Sequence, residues 1–280
     1  MNIIFIADFF ADEILGGGEL NNEELILLLI ENGNSVTKIK SYKATLSFLE
    51  KVNNCVFIVS NFAQLSEEIK SALITKKYVI YEHDHKYLRS RNPSLYENYI
   101  VPKDKIINYS FYKNAAAVFC QSKFHSDIVE KNLNLNNIIN LGGNLWSNKA
   151  LQLMRKYSQK SKANTCAIMN SSIEHKNTYQ SVIYCKHKQI PYKLIDPAPH
   201  QEFLNNLSDN SKLVFFPKSP ETLSRIVVEA RMMNMGVTTN SKVGAVSEDW
   251  FNKKGEKLID IMENKKIEIL EKVLGVLSYE

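Results

Sequence analysis

The sequence predicts an α/β protein built from two Rossmann-like domains that face each other across a cleft. Two series of short apolar runs alternate with amphipathic stretches, and a polar, lysine-rich segment from Ser147 to Asn164 separates the two series. This alternation is typical of parallel sheets covered by helices on both faces. We predict a first domain over residues 1–145, a second over 146–262 and a closing helix over 263–280.

The first series reads as strands alternating with helices. Its segments are, in order, Ile3 to Ala7, Glu19 to Asn32, Val36 to Ile39, Val56 to Ser60, Gln64 to Ile74, Tyr78 to Tyr81, Ala116 to Cys120, Lys123 to Asn132 and Ile138 to Leu141. The separating segment holds a helical piece around Leu151 to Tyr157, and we place the domain linker there.

The second series repeats the alternation. It comprises Cys166 to Met169, Thr178 to Lys188, Tyr192 to Ile195, Gln201 to Leu207, Leu213 to Phe216, Leu223 to Met233 and Val237 to Thr239. The tail from Gly255 to Tyr279 has a helical period that the polar residues Glu263 to Lys266 interrupt, which predicts one or two closing helices. Because open parallel sheets bind ligands beyond the carboxyl ends of their strands, we expect function in the loops there.

Composition indicates a cytoplasmic protein without a membrane span. No run of eighteen apolar residues occurs, and the amino terminus lacks the features of a signal peptide. The four cysteines lie far apart and are expected to be buried free thiols. Residues 1–145 carry 15 basic and 16 acidic side chains, whereas 146–280 carry 20 and 14. A basic second half suits an anionic ligand such as a nucleoside diphosphate, although a solvated lysine surface explains the charge equally well.

The stretch from Phe215 to Gly236 carries the strongest functional signal. Glu221 stands near the predicted helix start and Glu229 lies eight residues later, two turns along, hence on the same side of the helix. Ionised carboxylates accept hydrogen bonds from sugar hydroxyls, and the free amides of a helix start hold phosphate. The alternative is an ordinary solvated helical face.

The order of residues in this stretch resembles the family 4 group of retaining glycosyltransferases, which have the GT-B fold. The matching residues are Pro217, Ser219, Glu221, Glu229, Ala230, Gly236, Val243 and Gly244. The resemblance implies that Glu221 contacts the transferred sugar and that Glu229 contacts the ribose of a nucleoside-diphosphate sugar. The family's glycine-flanked aromatic is replaced here by Thr222, Leu223 and Ser224, so a donor pocket of different shape is expected.

A second donor element is expected after the first strand of the second domain. The family presents there an Arg and then a Lys that neutralise the donor diphosphate. Lys176 matches the Lys, but Asn170 or Ser171 stands where the Arg is expected, and Arg225 is a candidate substitute. An exposed lysine at a helix start is the alternative for Lys176.

The first domain offers a glycine run and a histidine at strand ends. The resemblance places Gly17, Gly18 and Glu19 opposite the donor phosphates and the acceptor, and it places His83 at the reaction centre. The alternatives are a flexible turn for the glycines and, for His83, a structural histidine followed by Asp84 as a helix cap. A metal site is a further alternative for His83 and its neighbours, but no additional cluster completes it.

Asp84, His85, Arg89 and Arg91 are predicted to face the acceptor, whose identity stays open among glycan, lipid, protein and a hydroxymethylated base in DNA. The basic stretch after His85 is interleaved with tyrosines, a pattern that suits nucleic acid but also an ordinary surface. We expect a hexosyltransferase that acts with retention, without a metal and without a cofactor other than its nucleotide-sugar donor. A nucleotide-sugar epimerase of similar layout and a non-catalytic nucleotide-sugar-binding protein stay open.

Overall fold

A computed structural model describes residues 1–14 and 16–278. Within them the chain forms two compact units, each with its own parallel sheet and hydrophobic core. Unit 1 comprises residues 1–145 together with the chain from Lys266 onward, and unit 2 comprises Trp146–Lys265. The prediction of an α/β protein with two parallel sheets is confirmed.

Unit 1 is a six-stranded sheet with helices on both faces. Its strands are β1 (Asn2–Ala7), β2 (Ser35–Lys40), β3 (Cys55–Val59), β4 (Tyr78–Tyr81), β5 (Val118–Cys120) and β6 (Ile138–Asn140). Its helices within residues 1–145 are α1 (Gly17–Glu31), α2 (Leu46–Lys51), α3 (Glu67–Leu73), α4 (Tyr109–Asn114) and α5 (Lys123–Leu133). The strands are parallel in the order β2-β1-β3-β4-β5-β6. Alternate residues of β1 enter two different core clusters, as expected for a strand buried on both faces.

Unit 2 is a smaller four-stranded version of the same architecture. Its elements are α6 (Asn148–Ser158), β7 (Ala163–Met169), α7 (Thr178–His187), β8 (Tyr192–Ile195), α8 (His200–Ser208), β9 (Asn210–Phe215), α9 (Arg225–Met232) and β10 (Gly236–Thr239). The strands are parallel in the order β10-β9-β7-β8. Loops that follow β7, β8 and β9 therefore meet at one edge of the sheet.

The segment predicted as a linker is a packed part of unit 2. The Ser147 hydroxyl caps α6 by accepting a 3.1 Å hydrogen bond from the Ala150 amide. Leu151 and Met154 on this helix are fully buried in the core of unit 2. The lysine-rich composition reflects only the exposed face of an amphipathic helix.

The closing segment is a single helix, α10 (Glu256–Leu277). Its early apolar residues, such as Leu258 and Met262, lie in the core of unit 2, and its late ones, such as Ile269 and Val273, lie in the core of unit 1. The polar residues Glu263 to Lys266 interrupt the apolar period without ending the helix, because Glu and Lys are good helix formers. They fall where the helix passes from one core to the other. No helix in the described ranges is long and apolar enough to cross a membrane.

Candidate functional site

In unit 1, the start of α1 lies against the residue that follows β4. A methyl group on Gly18 would lie 3.4 Å from the imidazole ring of His83. Glycine at this position therefore leaves the space over the ring open. Gly17 is the exposed first residue of α1. The structure brings together Gly18 and His83 as the sequence predicts.

Both ring nitrogens of His83 have protein partners. Nε2 lies 2.6 Å from Asn22 Oδ1, and Gln121 Nε2 donates to Nδ1. Asn22 Oδ1 also accepts from the Ser60 hydroxyl at 2.8 Å. The two ring nitrogens of His83 are thus engaged within unit 1, and the ring atoms nearest to a methyl group on Gly18 would be Cγ and Cδ2.

Glu19 joins this network through a neighbouring amide. Asn61 Nδ2 donates to Glu19 Oε1 at 3.0 Å, and the same Asn61 nitrogen would lie 3.6 Å from a methyl group on Gly18. Burial raises the pKa of Glu19 above its ordinary value. Glu19 is therefore a half-buried acceptor beside the glycine and not a freely solvated charge.

Asp84 belongs to a buried ion cluster. Lys86, which is 3% exposed, donates to Asp84 Oδ1 at 2.7 Å and to Glu82 Oε1 at 2.9 Å. Burial raises the pKa of Glu82 to about 7. Burial also opposes ionisation of Asp84, but the Lys86 ammonium overcomes it and lowers the pKa of Asp84 to about 2. The carboxylates of Glu82 and Asp84 are thus paired with the ammonium of Lys86 within unit 1, which indicates a structural role for the cluster.

One of the predicted acceptor residues, His85, does not fit that role, and a second, Arg91, has a protein partner as well. His85 is 1% exposed, and its ring packs against Tyr87 and His125, so it offers no surface to an acceptor. Arg91 is exposed but lies 3.3 Å from Asp84 Oδ2, where it helps to balance the buried cluster. Arg89 is exposed and is compatible with contact to an anion.

In unit 2, Glu221 lies in an extended loop rather than on a helix. Its amide donates to the Lys242 carbonyl and its carbonyl accepts from the Gly244 amide, both at 2.8 Å, so that it pairs with Val243 like a strand residue. Helix α9 begins four residues later, at Arg225. The expectation that Glu221 and Glu229 share one side of a helix is therefore incorrect. Neither side chain is splayed into solvent, since they are 14% and 5% exposed.

Lys176 and Glu221 form an ion pair at the carboxyl edge of the sheet. The Lys176 Nζ to Glu221 Oε1 distance is 2.8 Å, and the lysine side chain is 25% exposed. Asn170 follows β7 and donates to Asp196 Oδ1 at 2.6 Å, while the Ser171 amide donates to the Thr178 hydroxyl. The two residues that stand where the Arg is expected are thus engaged in local loop contacts.

The start of α9 is strained and carries an unpartnered hydroxyl. Ser224 has φ 74°, a left-handed conformation that favours glycine. Its hydroxyl is buried and, among the described residues, has no hydrogen-bond partner. Leu223 is fully buried in the core and Thr222 is 9% exposed, while Ser219 is half-buried earlier in the loop. Strain of this kind is found where the surrounding fold imposes a special backbone path.

Glu229 is buried against three donors. Trp146 Nε1 donates to its Oε1 at 3.0 Å, His200 Nε2 lies 3.1 Å away, and Arg225 Nε lies 3.7 Å away. The Arg225 guanidinium also stacks over the Trp146 ring at 4.6 Å. Burial raises the pKa of Glu229, but the hydrogen bond and charge of His200 and the charge of Arg225 outweigh it and lower the pKa to about 2. Glu229 is therefore an oriented, ionised carboxylate.

Sequence reasoning missed several of these partners. His200 follows β8 directly after Pro199, so it stands at a strand's carboxyl side, the signal that identified His83. No position after a strand or other local signal marks the remaining partners, because nothing in their spacing distinguishes them from core or surface residues. These partners are Trp146, Asn22, Asn61 and Gln121. In the part of the chain that the structure describes, no group of three or more His, Cys, Asp or Glu side chains is arranged to hold a metal ion.

No family model matches this sequence, and no curated protein matches it. Solved structures do resemble it across almost the whole chain. An α-glucosyltransferase in complex with UDP and a 13-mer DNA containing an HMU base has a TM-score of 0.53 at 13% identity, over 98% of this chain and 95% of its own.

Two further structures give the same result. HepE from Anabaena in complex with UDP and glucose has a TM-score of 0.54 at 12% identity, over 99% and 92% of the two chains. The catalytic domain of starch synthase IV from Arabidopsis thaliana bound to ADP and acarbose has a TM-score of 0.52 at 12% identity, over 100% of this chain and 95% of its own. At these identities the likeness shows the fold, which is that of GT-B glycosyltransferases.

Proposed function

We propose that this protein is a glycosyltransferase that moves a hexose from a nucleoside-diphosphate sugar to a hydroxyl acceptor, with retention and without a divalent metal. The observation that carries the proposal is the carboxyl edge of the unit 2 sheet. The strands there are followed by a partly exposed lysine, Lys176, by a helix start with an unpartnered serine hydroxyl, and by the oriented carboxylate of Glu229 on that helix. The fold is shared with UDP- and ADP-bound transferases.

The donor diphosphate is assigned to Lys176 and the start of α9. The first amides of a helix have no partner within it and attract anions. Ser224 adds a hydroxyl donor at the same point, and its strained backbone takes the place of the family's glycine. Lys176 supplies a point charge, which exchanges its pairing with Glu221 for a phosphate when the donor binds.

The sugar and the ribose are assigned to the two glutamates. Glu221, released by Lys176, accepts hydrogen bonds from hydroxyls of the transferred sugar. Glu229, ionised and held by its three donors, accepts from the ribose hydroxyls. In the transfer step the bond from the sugar's anomeric carbon to the diphosphate oxygen breaks, the acceptor's hydroxyl oxygen bonds to that carbon, and the hydroxyl proton goes to the leaving diphosphate. Negative charge that collects on the leaving diphosphate is stabilised by Lys176 and the α9 amides.

Gly18, Glu19 and His83 of unit 1 are assigned to the reaction centre. The glycine beside the His83 ring leaves room for a substrate group there, and the two ring nitrogens are held by Asn22 and Gln121. Arg89, Arg91 and Asp84 are the remaining candidates for acceptor contact.

A hydroxymethylated base in DNA is a specific acceptor candidate, because the structurally similar α-glucosyltransferase is in complex with DNA that contains an HMU base. Exposed cations in the stretch after β4, namely Arg89, Arg91, Lys103 and Lys105, are compatible with phosphate contacts. Glycan, lipid and protein acceptors are the other classes.

A donor screen tests the proposal. The protein is incubated with UDP-, GDP- and ADP-sugars, with and without EDTA, and products are followed by NMR. Slow release of the free sugar, insensitive to EDTA and with the donor's anomeric configuration, is expected. An isomerised nucleotide sugar identifies an epimerase, and binding without turnover identifies a non-catalytic protein. Either of these results contradicts the transferase.

A further inference from the structure

The outer face of α7 is apolar where a surface helix is usually polar. Tyr179 and Ile183 lie one turn apart on this face and are 73% and 38% exposed. The inner face is apolar as well, since Cys185 is fully buried in a core cluster with Cys166 of β7. The helix therefore carries apolar side chains on two faces, and the fold covers only the inner one.

The edge strand β8 extends this apolar surface. It pairs with β7 at the end of the unit 2 sheet, and its residue Leu194 is 44% exposed. Alternate residues of a strand share a face, so Leu194 lies on the same side of the sheet as Tyr192. Tyr192 packs in the cluster that contains Cys185 of α7. Leu194 thus lies on the side of the sheet that α7 covers, yet it is left open to solvent.

The charged side chains of this region are basic. No Asp or Glu occurs from residue 175 to residue 195. The two carboxylates that flank this stretch are engaged elsewhere, because Glu174 accepts from Lys218 and Asp196 accepts from Asn170. The exposed basic residues at the end of α7 and on β8 are Lys186, His187, Lys188 and Lys193.

We infer that the outer face of α7 and the edge strand β8 form a docking surface for an anionic lipid bilayer. Each lysine near such a bilayer is attracted to the lipid phosphates, and its long stem can lie along apolar groups while the ammonium reaches them. Tyrosine and aliphatic side chains enter the boundary between headgroups and acyl chains. The chain would lie on the bilayer, since no helix among the described residues could span it.

Other occupants fit this surface less well. Two copies of the chain that met through it would bring Lys186, Lys188 and Lys193 against their own counterparts, and like charges repel. Nucleic acid would engage the lysines through its phosphates but would leave Ile183 and Leu194 without an apolar partner. A bilayer with anionic headgroups supplies both the charge and the apolar phase.

Sedimentation with vesicles tests the inference. The full chain is mixed with vesicles of phosphatidylcholine alone or of phosphatidylcholine that contains about 30% phosphatidylglycerol. We expect the protein to sediment with the anionic vesicles, to stay in solution with the neutral ones, and to bind less as ionic strength rises. No nucleotide or turnover is involved, so the result is independent of the proposed function.

Variants of the surface should weaken binding through charge and through apolar area separately. Lys186→Gln together with Lys188→Gln should lower the partition coefficient for anionic vesicles about thirtyfold. Ile183→Ser should lower it about fivefold, because an apolar side chain no longer enters the bilayer. The melting temperature of each variant should match that of the wild type, since these side chains are exposed.

Matched controls lie elsewhere on the chain. Lys253→Gln together with Lys254→Gln removes two adjacent exposed lysines of unit 2, and Ile267→Ser removes an exposed isoleucine of α10. Both controls should bind within about twofold of the wild type.

Three results overturn the inference. The first is a wild-type protein that does not sediment with anionic vesicles. The second is equal loss of binding in the Lys186→Gln, Lys188→Gln protein and in the Lys253→Gln, Lys254→Gln protein, because net charge rather than this surface would then be responsible. The third is binding to duplex DNA or polyglutamate but not to vesicles, which identifies a polymeric anion as the partner.

Discussion

The two sheet edges of this protein hold their lysine side chains in opposite ways. In unit 1, Lys86 is buried and lies between Glu82 and Asp84, so its charge is committed to the fold. In unit 2, Lys176 sits in a partly exposed ion pair with Glu221 that a ligand can replace, and the buried Ser224 hydroxyl at the start of α9 has no hydrogen-bond partner among the described residues. The difference indicates that the first lysine serves stability and that the second is available to an anion.

The largest expected effect tests the structural role of unit 1. Lys86→Met removes the ammonium that bridges Glu82 and Asp84 and leaves the fully buried Glu82 carboxyl without that charge, which should cost about 3–5 kcal/mol of unfolding free energy. Differential scanning calorimetry should show a lowered transition. Lys123→Met breaks an exposed pair with Asp127 and is the control, with an expected change below about 0.5 kcal/mol. Equal effects of the two substitutions would refute the buried cluster.

The next largest effect concerns the ionisation of Glu229 in unit 2 and the dependence of stability on pH. The folded-state pKa of Glu229 is about 2, below its ordinary value of 4.5. Its ionisation therefore contributes stability that is fully present above pH 4.5 and is lost as pH falls towards 2. The contribution is up to about 3 kcal/mol. Glu229→Gln should flatten the acid limb of a stability profile measured by denaturant unfolding, and an unchanged limb would contradict the low pKa.

The space over His83 offers a smaller test. In Gly18→Ala the new methyl lies 3.4 Å from the imidazole ring, an ordinary contact that requires no movement of the protein. The melting temperature should hold or rise slightly, because alanine favours helix. Turnover should fall about tenfold, because the methyl takes space assigned to a sugar. Unimpaired turnover would show that no substrate approaches this ring face.

The smallest effect concerns the strained start of α9. Ser224→Gly relieves the left-handed backbone and removes the buried, unpartnered hydroxyl, so it should stabilise the protein by up to about 1 kcal/mol. UDP affinity should fall about threefold, because the hydroxyl is assigned to the diphosphate. Chemical denaturation and calorimetric titration measure the two effects separately. Destabilisation would indicate that Ser224 has a structural role instead.

The sequence was sufficient for the fold class and for most elements, because β-rich runs and amphipathic stretches alternate clearly. It was insufficient where packing overrides local pattern. The lysine-rich segment around Leu151 is a core helix, α10 runs through its polar interruption, and α2 and α4 are too short to show a period.

The site residues also divide into those that a local sequence pattern identifies and those that depend on packing. Glu221, Lys176 and Glu229 were identifiable because a spaced motif carries them, although the helix begins at Arg225, two residues after the start of the predicted segment, and leaves Glu221 in the loop before it. The burial of His85 and the donors Trp146 and His200 depend on contacts between segments far apart in the chain, which no local pattern encodes.

The central claim is that the unit 2 edge binds the donor diphosphate, and affinity for UDP in paired lysine variants tests it most directly. Lys176 pairs with Glu221, whereas Lys218, in the loop after β9, pairs with the exposed Glu174. Titration calorimetry should show the dissociation constant of Lys176→Ala raised at least about tenfold and that of Lys218→Ala within about twofold of wild type. Equal affinities in the wild-type protein and Lys176→Ala would contradict the claim.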